Sequence, residues 1–183
     1  MDYKRRLSEN VMFPTGDDAR DGQHIFNGCV SKEDEKASSE RNCYVSISDV
    51  DDVIADVFEI IIKDLYSKVD GCRAIKTKRS HDNGADVVVL FDDGKSGLLV
   101  QCKHQDNPNS AQGKKGVQEV YAAVNYYKNL DEYKGIEFGT VVVTNAIGFT
   151  SETIKLAKDN DVKLIARDGL ETMLKEYALP YVY

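Results

Sequence analysis

Apolar residues are unevenly distributed along the chain, and their spacing divides it into two parts. Residues 1–47 are mostly polar, and Gly16-Asp17-Asp18 and the charged run 31–36 interrupt any apolar period. From Ser48 onward, apolar residues recur with the periods of helices and strands. The pattern predicts a polar N-terminal segment of unknown role over residues 1–47 and one folded domain over residues 48–183.

Four stretches of this domain have the three-to-four-residue period of amphipathic helices. Their start signals lie at Ser48 or Asp49, after Gly116, at Thr150 or Ser151, and at the capping-box spacing of Asp168 to Glu171. The first helix is expected to end at Gly71, and its apolar face comprises Ile54, Phe58, Ile61, Ile62, Leu65 and Val69. The apolar face of the second helix comprises Val117, Val120, Tyr121, Val124 and Tyr127.

Five shorter stretches have the composition and bounding turns of strands. They are Cys72 to Lys78, Asp86 to Phe91, Leu98 to His104, Gly139 to Thr144 and Val162 to Ala166. Turn residues at His81 to Gly84 and at Asp92 to Gly94 separate the first three strands. The order α-β-β-β-α-β-α-β-α predicts an α/β fold, in which a mixed central sheet is flanked by helices.

The charge distribution changes the picture for possible partners. The net charge is −7, but residues 1–70 hold 16 acidic and 9 basic side chains, whereas residues 71–183 hold 15 of each. The second part contains a series of basic residues that comprises Arg73, Lys76, Lys78, Arg79, Lys95, Lys103, Lys114 and Lys115. This series is interpreted either as a phosphate-facing surface or as an ordinary solvated face.

Neither a membrane segment nor a zinc site is expected. No apolar run reaches the roughly 20 residues that span a bilayer, and the polar N-terminus does not have the pattern of a signal peptide. The cysteines form no CxxC pair and are interpreted as reduced; they are Cys29, Cys43, Cys72 and Cys102. We therefore expect a cytoplasmic protein.

Polar residues occur in the third strand where apolar ones would be expected. Side chains alternate along a strand, so Gln101 and Lys103 share one face, and the hairpin brings Asp86 near them. A carboxylate, an amide oxygen and a lysine are the groups that metal-assisted phosphodiester hydrolysis uses. The alternative from the residues alone is that Asp86 belongs to a turn and that Lys103 ends a solvent-facing strand.

The order of several short motifs resembles the Mrr-like catalytic domain of restriction endonucleases over roughly residues 50 to 175. The motifs are Phe58-Glu59, Asp82-Asn83-Gly84-Ala85-Asp86, Val100-Gln101-Cys102-Lys103 and Val117-Gln118-Glu119, followed by Val141 to Asn145, Phe149-Thr150, Leu164-Ile165 and Asp168-Gly169-Leu170. The sequence departs from the family pattern at Asn83, where glycine is frequent, and in having no recognisable DNA-reading domain.

This resemblance implies the fold of the PD-(D/E)xK nucleases, with Gln101 in place of the usual acidic residue. It implies a catalytic centre of Asp86, Gln101, Lys103 and Glu59, in which Lys103 activates water. Magnesium, with manganese as the alternative, would be held by Asp86, Glu59 and either the Gln101 side chain or the Cys102 carbonyl. On the residues alone, Glu59 is equally well explained by a surface pair with Lys63.

The implied partner is DNA. Candidate DNA-binding or supporting residues are Gln118, Lys78, Arg79, Lys114 and Lys115. His104 faces away from Lys103 and is expected to pack or to face solvent rather than to act in catalysis. A homodimer, or a subunit of a larger complex for defence against foreign DNA, is the expected state. The alternative function is a non-catalytic DNA-binding or scaffolding module that keeps the nuclease fold.

Overall fold

The computed structural model describes residues 44–77 and 83–181. Predictions that concern residues 1–43, the loop residues 78–82 and the last two residues lie outside the described part. These include Lys78, Arg79 and His81, and also Cys29 and Cys43. Among the described cysteines, neither Cys72 nor Cys102 forms a disulfide bond.

A five-stranded mixed sheet forms the centre of the described fold. Its strands are β1 (Cys72–Lys76), β2 (Val87–Phe91), β3 (Ser96–Lys103), β5 (Glu137–Thr144) and β7 (Val162–Ile165), arranged in the order β1-β2-β3-β5-β7. The first three strands pair antiparallel, and β3, β5 and β7 pair parallel. A second, two-stranded ribbon pairs β4 (Ala111–Gln112) with β6 (Gly148–Phe149).

Helices cover both faces of the sheet and bury two apolar clusters. The helices are α1 (Ile47–Asp51), α2 (Ala55–Lys68), α3 (Lys115–Lys128), α4 (Ser151–Asp159) and α5 (Arg167–Tyr177), with a 3₁₀ turn at Asp131–Tyr133. Phe58 and Leu65 of α2 pack with Leu170 of α5 on one face. Val120 of α3 and Ala157 of α4 belong to the cluster on the other face. The predicted mixed sheet between helices is therefore confirmed.

The first predicted helix is two helices. Ser46 caps α1 through a capping box with Asp49, and α2 begins only at Ala55. Ile54 is exposed between them, so its assignment to the apolar face was wrong. The break coincides with a tertiary contact, in which Asp51 at the end of α1 accepts two hydrogen bonds from Arg167 at the start of α5.

Two details of the later helices also differ from the prediction. The buried face of α3 contains Gly116 and Ala123, whereas Tyr121 is exposed. The predicted capping box from Asp168 to Glu171 is wrong. Helix α5 already begins at Arg167, and its N-cap residue Ala166 makes no side-chain hydrogen bond. Thr150 is confirmed as the cap of α4, since its hydroxyl accepts a hydrogen bond from the backbone of Thr153.

The start and the end of the described domain lie side by side. Tyr44 forms an antiparallel bridge with Pro180, and the backbone amide of Val45 donates to the carbonyl of Leu179. Val45 is buried, so residues 44–47 pack as part of the domain. Across residues 44–77 and 83–181, no helix combines the length and apolar character needed to cross a bilayer.

Candidate active site

Strand β3 extends beyond its antiparallel partner, and this difference in length creates the site. The register of β2 and β3 ends with Val87 opposite Val100, so the edge of β3 that faces β2 is open at residues 101–103. The backbone amide of Asp86 donates to the Val100 carbonyl at 2.8 Å. The Asp86 carboxylate then accepts the Cys102 amide at 2.7 Å. Asp86 is thereby fixed beside the last residues of β3.

Gln101 is held by the same carboxylate. Its amide nitrogen Nε2 donates to Asp86 Oδ2 at 2.5 Å, and both side chains are buried, with 5% and 6% of their surfaces exposed. This contact fixes which end of the amide faces Asp86, because a carboxylate can only accept. The other end, the oxygen Oε1, is buried and has no hydrogen-bond partner within the described residues. A buried acceptor without a partner is uncommon and is a candidate cation ligand.

Lys103 points toward helix α3. Its Nζ lies 2.6 Å from Oε2 of Glu119, and both side chains are partly exposed. Gly116 leaves room for the lysine, because a Cβ at that position would lie 3.1 Å from Lys103 Cγ. Glu119 was not identified from the sequence. The sequence pattern that could have identified Glu119 is its position three residues after Gly116, which places it on the border of the buried face of the helix.

Glu59 lies at the site but is already paired. Its Oε2 is 2.8 Å from Nζ of Lys76, which is also 2.7 Å from Asp56. Burial alone would lower the pKa of Lys76, but hydrogen bonds from its amine to Asp56 and Glu59 raise it. Lys76 therefore stays positively charged and compensates the Glu59 carboxylate. The surface pair of Glu59 with Lys63 is not formed, because Lys63 contacts Asp64.

The thiol of Cys102 stays protonated. Burial raises the pKa of this thiol well above its usual range, and the negative charge of Asp86 adds to the effect. Metal ligands and nucleophiles need the thiolate form of cysteine. The Cys102 side chain belongs to an apolar cluster, so its backbone carbonyl is the candidate ligand for a hard cation.

These groups surround one pocket of about 400 Å³. It is lined by Ala55, Glu59, Gly84, Asp86, Gln101, Cys102, Lys103, His104 and Glu119. The structure thus brings together the predicted residues Glu59, Asp86, Gln101, Cys102 and Lys103. No group of three or more His, Cys, Asp or Glu side chains in residues 44–77 and 83–181 could hold a metal by itself. A cation here would need the amide and carbonyl oxygens.

The predicted site residues at the start of α3 do not line this pocket, and Lys78 and Arg79 lie outside the described residues. Gln118 is exposed, and the α3 side chain that contacts Lys103 is its neighbour Glu119. Lys114 pairs with Glu152 at 2.5 Å, and Lys115 lies 3.7 Å from Glu119. His104 lines the pocket but also packs, since its ring lies against that of Phe58 at a tilt of 59° and its Nε2 is 2.9 Å from the Val50 carbonyl oxygen.

A polar network behind the pocket holds the ends of β3, β5 and α5 together. The side chain of Asn145 accepts the backbone amide of Gln105 and donates to the carbonyl of the same residue. Arg167 donates to both oxygens of Asp51 at 2.7 Å and to the Asn145 carbonyl. This network fixes the strand ends from which the site residues project.

The pattern of sequence and site corresponds to a known family. The model of the Mrr catalytic domain, described as restriction endonuclease, matches residues 50–174, which is more than half of the chain. The chain belongs to this restriction endonuclease family. Family membership confirms the predicted resemblance and supports a nuclease function. No curated protein matches the chain.

The chain is also similar in part to two solved structures. A repair endonuclease from Pyrococcus abyssi is 17% identical and has a TM-score of 0.43, with 61% of this chain and 45% of that chain covered. EndoMS in complex with double-stranded DNA is 15% identical, with a TM-score of 0.44 and coverage of 70% and 47%. The match thus spans less than half the length of each of these proteins.

Proposed function

We propose that the protein is a metal-dependent endonuclease that hydrolyses phosphodiester bonds in DNA. The observation that carries this proposal is the convergence of Asp86, Gln101 and Lys103 at one open pocket in a domain of the restriction endonuclease family. Gln118, Lys114 and Lys115 lie on or beside the first turn of α3 and are proposed to contact the DNA backbone.

The residues present fit a hard divalent cation. Asp86 and the partnerless Oε1 of Gln101 are buried oxygen ligands at the pocket, and the Cys102 carbonyl is a third oxygen beside them. Nucleases of this class generally use divalent metal ions, and oxygen ligands favour magnesium or manganese. A bound ion would polarise the phosphate and lower the pKa of a coordinated water. Glu59 pairs with Lys76 through Oε2, and we propose its other carboxylate oxygen as a further ligand.

The side chains of the protein supply orientation and charge. Asp86 binds the backbone of Cys102 and the Gln101 amide, so the position of Gln101 Oε1 depends on Asp86. Lys103 presents an ammonium group at the pocket, where it can donate a hydrogen bond to the attacking water or to a phosphate oxygen. Negative charge that develops on the phosphate during hydrolysis would be stabilised by this cation.

We further propose a cytoplasmic role in defence against foreign DNA, because restriction endonucleases give the family its description. The domain carries one copy of the Asp86, Gln101 and Lys103 set. Cleavage of both strands therefore requires two protomers or two successive cuts, which favours a homodimer or a larger defence complex.

Cleavage of supercoiled plasmid DNA tests the proposal. The wild-type protein should convert the plasmid to open-circular and linear forms with Mg²⁺ or Mn²⁺, and excess EDTA should stop this conversion without a change in the circular dichroism spectrum. Lys103→Ala should reduce the rate by at least about a hundredfold, because it removes the only side-chain ammonium assigned to the reaction. Lys175→Ala is the matched control, since Lys175 is an exposed lysine that pairs with Glu171 on α5.

Two outcomes would contradict the proposal. Cutting that survives EDTA would exclude the metal mechanism, and a Lys103→Ala protein that cuts at the wild-type rate would exclude the assigned centre. DNA binding without any cutting would favour the non-catalytic module instead.

A further inference from the structure

Glu119 is connected to both halves of the proposed catalytic centre. Its side chain contacts Lys103, at 2.6 Å between Oε2 and Nζ. Its backbone packs against the turn that precedes Asp86, because a Cβ at Gly84 would lie only 2.3 Å from the Glu119 carbonyl oxygen. A single residue of α3 therefore lies between the turn that carries the carboxylate and the strand that carries the lysine.

The surroundings of Lys103 restrict its path to this contact. A Cβ at Gly116 would lie 3.1 Å from Cγ and 3.3 Å from Cε of Lys103, so the lysine stem lies along the first turn of α3. Glu119 follows one turn later and receives the amine. A free lysine side chain has roughly 2 kcal/mol of rotamer entropy, so an unconstrained amine would occupy many positions.

The second oxygen of Glu119 also faces a lysine. Oε1 lies 3.7 Å from the Nζ of Lys115, which is largely exposed. Lysines thus lie beside both carboxylate oxygens, and Glu119 has no contact with Gln101 or Asp86 among its described ion pairs and hydrogen bonds. Oε2 of Glu119 is buried and has no hydrogen-bond partner within the described residues, so its 2.6 Å contact with Lys103 is an ion pair. The ammonium groups beside both oxygens favour a residue that orients an amine, and the Mg²⁺ dependence of the variants separates this role from that of a cation ligand.

We infer that Glu119 is the positioning residue of the nuclease, which holds the Lys103 ammonium at the pocket and keeps it aligned with Asp86. The inference rests on the proposed function and names a residue outside the Asp86, Gln101 and Lys103 set. Glu119 acts through Lys103 and does not itself touch the DNA. Its loss should therefore lower the rate of the chemical step rather than the affinity for DNA.

Steady-state cleavage of a DNA duplex by wild type, Glu119→Ala and Glu119→Gln tests this inference. Glu119→Ala should lower kcat by at least about tenfold, because small misplacements of a reacting group are costly. Its KM for DNA and the Mg²⁺ concentration for half-maximal rate should stay within about threefold of wild type. Glu119→Gln keeps the length of the side chain and an oxygen beside Lys103 but loses the negative charge, so it should recover part of the lost kcat.

The matched control is Glu171→Ala, which breaks another glutamate–lysine pair of similar length, 2.7 Å to Lys175 on α5. It should leave kcat within about twofold of wild type, because the pair is exposed and lies outside the pocket. Thermal melts check that each variant is folded. If Glu119→Ala does not fold, the kinetics of the more conservative Glu119→Gln variant still test the inference.

Three results would overturn the inference while leaving the proposed function intact. The first is a kcat of Glu119→Ala within twofold of that of wild type. The second is a loss of kcat in Glu119→Ala that a higher Mg²⁺ concentration reverses, and the third is a kcat of Glu119→Gln as low as that of Glu119→Ala. The second would make Glu119 a cation ligand. If wild type cuts no DNA with any divalent ion, the proposed function fails and the inference fails with it.

Discussion

The position of Asp86 depends on a turn that suits glycine at residue 84. Gly84 has a φ of +91°, a conformation that side chains with a Cβ rarely adopt, and its α-carbon faces the backbone of Glu119. Asn83 before it also has a positive φ, of 41°, which asparagine tolerates better than most residues. The departure from glycine at residue 83 is therefore compatible with the turn.

Gly84→Ala should lower the free energy of unfolding by about 2 kcal/mol or more, since both the positive φ and the clash with the Glu119 carbonyl oppose it. Urea unfolding measures the loss. Gly113→Ala is the control, because no atom lies within 4 Å of a Cβ at Gly113 and its φ is not in the left-handed region. Equal stability of the two variants would show that the turn is not constrained.

Among the site residues, those that local strand geometry brings together could be predicted from the sequence. Contacts between residues that are distant in sequence could not. Strand alternation and one hairpin are enough to group Asp86, Gln101 and Lys103. Lys76 meets Glu59 only because β1 packs beside α2, and no local pattern encodes that distance. Glu59 was correctly expected near the sheet end, but its pairing with Lys76 could not be predicted.

Among the elements, α3 shows how the apolar period can misplace one edge of a helix face. Val117, Val120 and Tyr127 are buried as predicted, but Tyr121 is exposed. The buried face also includes Gly116 and Ala123, whose small size allows close packing on the sheet. Successive residues on a helix are rotated by roughly 100° about its axis. A small error in the predicted orientation of the buried face therefore decides whether Gln118 or Glu119 is expected to point toward Lys103.

An ion pair between Asp51 and Arg167 joins the short helix α1 to α5. The hydrogen bond from Arg167 lowers the pKa of Asp51, although burial opposes the shift. A carboxyl group with a lowered pKa in the folded state stabilises that state above its unfolded pKa of about 3.8. This contribution is lost as the pH falls through the lower folded-state pKa.

Asp51→Asn should therefore lower the free energy of unfolding by about 2 kcal/mol at pH 7, as expected for charged hydrogen bonds. The difference from wild type should shrink as the pH falls below about 3.8, where the Asp51 carboxyl of the unfolded chain becomes protonated. Urea unfolding across pH measures this. The exposed pair of Glu171 and Lys175 is the control, and Glu171→Gln should cost less than about 0.5 kcal/mol. A difference that grows toward low pH would contradict the assignment.

For the whole molecule, the location of the acidic residues changes the interpretation of the net charge. Residues 1–43 hold 9 acidic and 7 basic side chains, whereas residues 44–70 hold 7 acidic and 2 basic ones. The excess thus lies mainly on α1, α2 and the turns beside them. Some of it is compensated within the fold, since Lys76 lies between Asp56 and Glu59. The basic series is also divided, because Arg73 lines a different pocket from Lys103.

DNA binding is therefore expected to depend on the start of α3. Replacing Lys114 and Lys115 with alanine should weaken binding about equally for all sequences and reduce the slope of log K against log salt by about 1.8, or 0.9 for each lost phosphate contact. Fluorescence anisotropy with Ca²⁺ in place of Mg²⁺ measures this without cleavage. Lys175→Ala should leave the slope unchanged. An unchanged slope in the double variant would show that DNA lies on another surface.

The general fold could be predicted because each element had a clear period and the order of elements limits how a mixed sheet can form. The β4 and β6 ribbon could not, since its two-residue strands are too short to produce a pattern. The break between α1 and α2 was also missed. It coincides with the contact of Asp51 with Arg167, more than a hundred residues away in sequence, which no local pattern encodes.

The pairing of Tyr44 with Pro180 places the beginning and the end of the described domain next to each other. In topological terms, the described chain is almost a ring, and joining its ends needs little loop-closure entropy. Such a ring could be reopened at an exposed turn, for example near Gly94, without a change in the pairing of its strands. A module fused at either end of the described domain would therefore be attached at the same place on its surface.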